Sequence, residues 1–262
     1  MLFESESHKA GQVAISVRNL NLIYKTTVQK KPTFRQALTR TGRKIRTVNA
    51  LTNLSLEIPY GSVLGVIGAN GAGKSSLMRV VAGIVPPTAG RVEVYGQVST
   101  LLSLGVGFNA RLTGRENVIL GGLAAGLTRA EIEEQFSAIA DFADIGEAID
   151  SPMKTYSAGM YSRLAFAVAV VVEPDVLIVD EALSTGDAKF KKKSLEKIKT
   201  LRSENRAIIL VSHALATIKE ICNDVIWLDK GKIMMRGNPD EVVAAYKESL
   251  QVAKSSSADE DL

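Results

Sequence analysis

The chain is poor in cysteine: Cys222 stands alone among 262 residues. An internal disulfide is therefore excluded, and the composition fits a reducing compartment. Histidine is almost as scarce, with only His8 and His213, and aromatic residues make up 5% of the chain. Long apolar runs are missing as well. The longest, Leu164 to Val172, falls well short of the roughly 20 residues a membrane span needs. Met1 to Gly11 is polar, so no cleaved signal is expected. Charge of either sign is nearly balanced; a net +4 does not by itself argue for nucleic acid. What remains is a chain that is 46% hydrophobic, enough for one large domain or a domain with a subdomain.

One local absence stands out. Between Lys25 and Val48 there is no Asp or Glu, while Lys25, Lys30, Lys31, Arg35, Arg40, Arg43, Lys44 and Arg46 all occur. Phe34, Ala37, Leu38, Thr41 and Ile45 recur at helical spacing. A short amphipathic basic helix suited to an anionic lipid surface and a solvated basic loop both fit this pattern. Upstream, Val13 to Tyr24 alternates like a strand, as does Leu51 to Ile58 downstream.

The strongest positive signal is Gly68-Ala69-Asn70-Gly71-Ala72-Gly73-Lys74-Ser75-Ser76. It follows the apolar run Val63 to Ile67 and precedes the helical pattern Leu77 to Ala82. In that strand–loop–helix setting the glycines let backbone N–H groups converge on an anion, and the helix N-terminus adds partial positive charge. Lys74 is expected to reach the β- and γ-phosphates of a nucleoside triphosphate, and Ser75 to hold Mg²⁺. Val176 to Val179 and Ala207 to Val211 read as buried parallel strands. Asp180 and Glu181 end the first, as metal-side acid and as the group that polarises the attacking water. His213 ends the second, within reach of the γ-phosphate. Between about 105 and 160 the pattern is that of a helical insertion, and Thr113 with Glu116 has capping-box spacing. Arg91 to Tyr95 and Val98 to Leu102 read as short strands; the Ser-rich, acidic tail 252–262 reads as disordered.

Tyr156-Ser157-Ala158-Gly159-Met160 opens a second helix with a second candidate anion site. One chain already supplies its own phosphate loop. The second site is therefore read as serving the nucleotide of another copy, in a head-to-tail dimer that ATP closes and hydrolysis reopens.

In order, the phosphate loop, LTGREN, YSAGM, LIVDEALSTGD and LVSH resemble the ATP-binding cassette of ABC transporters. The resemblance implies an α/β fold: a P-loop (RecA-like) core, an antiparallel β subdomain and an inserted α-helical subdomain, together one nucleotide-binding domain over residues 1–251. It implies ATP and Mg²⁺ as ligands. Ser157, Ala158, Gly159 and Met160 become the signature acting in trans, in a form SAGM where the family commonly has SGGQ. Ser184, Gly186 and Asp187 fall at the D-loop, His213 at the switch histidine, and Tyr24 at the aromatic that stacks on adenine. The Q-loop glutamine has no counterpart, and Ser103 takes its place on the metal side.

The basic insert, the run Leu102 to Asn117 and the YSAGMYSRLAFA segment are similar to the ATPase subunits of bacterial exporters for O-antigen, capsule and teichoic acid. That similarity implies a homodimer on a separate permease dimer, at the cytoplasmic face of the plasma membrane. The basic insert would lie at the membrane, and the cargo would be a lipid-linked polysaccharide. A soluble cassette acting on nucleic acid or ribosomes is the rival reading. The basic segment offers only Phe34 for base stacking, so no nucleic-acid partner is expected. A P-loop kinase or GTPase leaves Ser157 to Met160 unexplained.

Overall fold

Alternation with period two decides how the centre is built. A computed structural model describes residues 11–28, 44–101, 108–180 and 187–259. In chain order its strands are β1 (Val13–Val28), β2 (Lys44–Pro59), β3 (Val63–Ile67), β4 (Ala89–Val94), β5 (Val98–Thr100), β6 (Val176–Asp180), β7 (Ala207–Val211), β8 (Asp224–Asp229) and β9 (Lys232–Gly237). Its helices are α1 (Lys74–Val81), α2 (Gly114–Ala124), α3 (Arg129–Ala143), α4 (Ala158–Val171), α5 (Ala188–Ser203), α6 (Leu215–Ile221) and α7 (Pro239–Asp259). One sheet has the order β5-β6-β7-β3-β8-β9, parallel except for β9; the other is antiparallel, β2-β1-β4.

The central strands are apolar on both faces because each face meets a different core. Leu64 and Val66 of β3, Val176 and Ile178 of β6, and Ile209 and Val211 of β7 share one core with α1 and the antiparallel sheet. Val63 and Ile67, Leu177 and Val179, and Ile208 and Leu210 face the other, with Phe166, Phe190, Ile198 and Ile218. Cys222 belongs to that second core, and a Cβ on Gly65 would come within 2.9 Å of its sulfur. Burial pushes the Cys222 thiol up to about 12.

Helix α4 explains the longest apolar run. Its Phe166 and Val170 enter the second core, whereas Leu164, Ala167 and Val168 enter a third, formed with Val118 of α2 and Ile132 and Ile139 of α3. A helix buried on two sides must be apolar nearly all round. Among the described residues no helix is long and apolar enough to cross a membrane.

The helical subdomain hangs on its caps. Thr113 and Glu116 form the expected capping box at α2, and Thr128 and Glu131 form a second at α3. Both glutamates are held below the usual carboxylate range, Glu116 chiefly by the backbone N–H of Thr113 and Glu131 chiefly by the Thr128 hydroxyl. Asn117 is fully buried. Its Oδ1 accepts from the Asn109 N–H at 2.7 Å, and its amide donates to the carbonyls of Asn109 (3.0 Å), Leu112 (3.3 Å) and Thr113 (2.8 Å). One side chain thus closes the loop leading into α2.

Two expectations change. The basic segment is strand at both ends: β1 runs on to Val28 and β2 begins at Lys44, paired from Tyr24↔Val48 to Val28↔Lys44. Lys25 stands opposite Thr47 and Arg46 opposite Thr26, so no cations face each other in this part of the ladder. Thr and Val favour strand there, and counting charges hid them. Residues 29–43, with the rest of the proposed amphipathic helix, lie outside the described residues. The tail expected to be disordered from 252 is helical as far as Asp259. Once α7 is nucleated, each further residue costs little to add.

Replacing Asn117 with Ala removes four hydrogen bonds and leaves the Asn109 N–H without its acceptor, while the carbonyls of Asn109, Leu112 and Thr113 keep backbone donors. It should lower stability by about 2–3 kcal/mol in urea unfolding. Asn117→Asp should cost at least as much, since a carboxylate cannot donate. Glu116→Gln, which still completes the capping box, should cost under about 1 kcal/mol. A loss below about 1 kcal/mol for Asn117→Ala would deny it this organising role.

Candidate functional site

The loop after β3 takes its shape from close backbone approaches. Gly68 sits at φ +147°, where a Cβ would be 2.2 Å from the Leu228 carbonyl oxygen. Gly73, at φ +109°, passes so near β2 that a Cβ would lie 2.7 Å from the Ala50 carbonyl oxygen. Only glycine fits both the dihedral and the space. The loop is pinned by the Ala72 N–H donating to Ala69 O (3.1 Å) and by the Gly231 N–H donating to Ala72 O (2.9 Å). At Gly71, by contrast, a Cβ would meet nothing within 4 Å, and Asn70 and Gly71 are exposed.

Although α6 likewise lacks a side-chain cap, helix α1 begins differently from the next four helices. Its N-cap is Gly73, with no side-chain cap and no acid in the first turn. Helices α2, α3, α4 and α5 are each capped by a side chain, from Thr113, Thr128, Ser157 and Asp187. The first-turn N–H groups of α1 therefore keep their partial positive charge for an anion. Lys74 is buried, and its Nζ donates to Gly68 O at 2.7 Å and Ala69 O at 3.0 Å. Those carbonyls hold the ammonium against the loop and lower the cost of burying it. Ser75 is exposed and Ser76 half-buried, so the Ser75 hydroxyl is open to a cation. The donor set fits a triphosphate with Mg²⁺: backbone N–H groups, one ammonium and a hydroxyl beside a carboxylate-bearing strand.

Parallel pairing brings that carboxylate in. Val66 pairs with Val211, and Val211 with Asp180, so one row crosses β3, β7 and β6. Strands stand about 4.8 Å apart, which puts the backbone of Asp180 about 10 Å from that of Val66. Gly68 follows Val66 by two residues and His213 follows Val211 by two. Loop, acid and histidine thus emerge side by side at the carboxyl ends of adjacent strands, where α/β sheets present ligands. Asp180 is half-buried and His213 exposed. Glu181, Ser184, Gly186 and Ser103 lie outside the described residues.

The second motif is not gathered into this row; it opens α4 in the helical subdomain. The Met160 N–H donates to Ser157 Oγ at 3.2 Å. Ser157 and Ala158 are exposed, Gly159 and Met160 partly so, and a Cβ on Gly159 would meet only Ser157 Oγ at 3.8 Å. Internal packing does not require this glycine; its bareness faces outward. Asp187 caps α5 through the Phe190 N–H (2.8 Å) and pairs with Arg163. Tyr24 is half-buried against the first core, and its hydroxyl is buried with no partner among the described residues. It lies on the ribbon that also carries Leu51, whose side chain would be 3.0 Å from a Cβ on Gly73.

Sequence reasoning missed Arg163 and Asn117. For Arg163 a signal existed: it is the single charge between Ala158 and Val171, and a charge on so apolar a helix needs a partner.

A family model described as "ABC transporter" matches residues 51–184. Over 219 residues the chain is 44% identical to an O-antigen export system ATP-binding protein, RfbB of Myxococcus xanthus, covering 84% of this chain and 50% of that one. It is 42% identical over 211 residues to a teichoic acids export ATP-binding protein, TagH of Bacillus anthracis (80% and 38%). With the RfbB of Klebsiella pneumoniae it shares 37% identity over 77% of this chain and 82% of that one. The chain thus spans half or less of the first two relatives. Among solved structures, an ATP-binding subunit of an ABC transporter superimposes with a TM-score of 0.73 at 22% identity, covering 89% of this chain and 93% of that one. A cassette solved as a post-hydrolysis dimer with ADP and Pi gives 0.71 at 18% identity, covering 86% and 98%. These two likenesses speak to the fold. By its sequence matches, its fold and its strand-end row, the chain belongs to the ABC transporter family and carries that family's ATPase domain.

Proposed function

We propose that this chain binds ATP with Mg²⁺ and hydrolyses it as one of two identical subunits on a separate polytopic permease. The pair would sit at the cytoplasmic face of a bacterial plasma membrane and drive a lipid-linked envelope polysaccharide outward. The observation that carries the nucleotide reading is the row Asp180–Val211–Val66 beside an α1 whose N-terminus no side chain caps. The cargo reading rests on relatives named for O-antigen and teichoic acid export, which match four-fifths of this chain.

In this reading Gly68 to Ser76 cradle the β- and γ-phosphates, and Lys74 turns from the carbonyls of Gly68 and Ala69 to the phosphate oxygens. Ser75 and Asp180 would hold the metal, and by resemblance Ser103 takes the Q-loop position. Mg²⁺ supplies charge neutralisation at the phosphate oxygens when bound. Glu181 orients the attacking water, His213 contacts the γ-phosphate, and Tyr24 packs on the base. Ser157 to Met160, with Ser184, Gly186 and Asp187, serve the partner's nucleotide. Residues 25–48 meet the anionic membrane surface, each cation contributing about 1 kcal/mol near it.

Lys74→Ala should weaken ATP binding at least about tenfold by calorimetry, because a charge-assisted contact is lost. Glu181→Gln should bind ATP as the wild type does, turn over at least about 100-fold more slowly, and elute as an ATP-dependent dimer. Normal turnover in that variant would remove Glu181 from the role of base. Neutralising the cations between Lys25 and Arg46 should impair glycan export in cells while sparing ATP hydrolysis by the purified chain; equal loss of both would count against a membrane role. Pull-down from detergent-solubilised native membranes tests the whole reading. A polytopic partner that changes turnover supports the exporter, whereas recovery of ribosomes or RNA alone overturns it.

A further inference from the structure

Arg163 is the only charged residue of α4, and two other helices, α3 and α5, converge on it. Its Nη1 donates to the carbonyl oxygen of Asp144, the C-cap of α3, at 3.0 Å. Its Nη2 donates to Asp187 Oδ2, forming an ion pair. Its guanidinium carbon lies 5.3 Å from the centre of the Phe190 ring. The Arg163 side chain is 18% exposed and that of Asp187 56%, so solvent reaches the pair from the carboxylate side. A planar fork suits this site as an ammonium would not, since it reaches a carbonyl and a carboxylate together while its face meets a ring.

Asp187 is likewise used twice: Oδ1 caps α5 and Oδ2 takes Arg163. Two further cations support the junction. Lys189 Nζ pairs with Asp144 Oδ2 at 3.2 Å, and Lys193 Nζ donates to the carbonyls of Asp141 (2.9 Å) and Phe142 (3.2 Å). All three positive side chains meet the C-terminal end of α3, where helix carbonyls lack intrahelical partners. Arg163 follows Ser157 by six residues, about 9 Å along the helix.

The geometry points to Arg163 as a positioning residue that fixes Asp187 and the start of α5 relative to the exposed N-terminus of α4. Both surfaces offered to a second copy of the chain then arrive as one unit. This rests on the proposed dimeric hydrolysis.

The test is steady-state ATP hydrolysis by the full chain across ATP concentrations, for wild type, Arg163→Ala, Arg163→Lys, Asp187→Asn and the Arg163→Ala/Asp187→Asn double variant. Asparagine caps helices about as well as aspartate, so Asp187→Asn removes the ion pair and keeps the α5 cap. Arg163→Ala and Asp187→Asn should each lower kcat about tenfold while KM stays within about twofold. The double variant should fall no lower than Arg163→Ala, and Arg163→Lys should recover part of the loss. Unchanged kcat in both single variants overturns the inference. So do losses that multiply in the double variant, or a KM that rises as kcat falls. If Arg163→Ala does not fold, Asp187→Asn and Arg163→Lys carry the same comparison. Wild-type protein that binds ATP without turning it over would fail the hydrolysis reading and this inference with it. Normal wild-type turnover with unaffected variants fails the inference alone.

Discussion

Parallel pairing of β6, β7 and β3 governs where the chemistry-bearing residues sit. The Val66–Val211–Asp180 row is a matter of backbone register, and register is fixed because each strand buries alternate residues in two different cores. A slip of one residue would exchange the two sets and move every apolar side chain into the wrong core. The same constraint that makes the interior pack therefore aligns the loop after Ile67, the acid at 180 and the histidine at 213.

Packing also explains how the helical subdomain is joined to the sheet. Helix α4 contributes to two cores, and Phe142, Phe166 and Phe190 bridge α3, α4 and α5 with ring centres 5.8–5.9 Å apart. Buried aromatic pairs of this kind contribute about 0.5–1.5 kcal/mol beyond their area. Arg163, Lys189 and Lys193 surround this aromatic junction with charge. The first turn of α5 meets it, the N-terminus of α4 lies nine residues before Phe166, and both helices open on residues whose side chains serve first as caps.

How much of this was legible beforehand depended on the range of the interaction. The phosphate loop, the buried strands and the Thr113–Glu116 box depend on neighbours a few residues away, and their spacing is visible in the chain. The second box, Thr128–Glu131, has the same spacing and was equally readable. The strand extension through Lys25–Val28 and Lys44–Val48 was not: it depends on pairing across an intervening segment, and charge masked the β-branched residues. Asn117 shows a different limit. Its partners are backbone groups of residues 109–113, and composition does not reveal that a loop will fold back on one amide.

Cys222 has a consequence for spectroscopy. Its sulfur lies beneath β3 against Gly65, and burial pushes the thiol up to about 12. The thiolate, the species that reacts with maleimides, is thereby disfavoured, and the surrounding core shields the sulfur. The native protein should therefore label slowly with such dyes without any substitution. A cysteine introduced on α4 and another on the β1–β2 ribbon would each label alone, so distances between copies in the proposed dimer could be followed with the natural core intact.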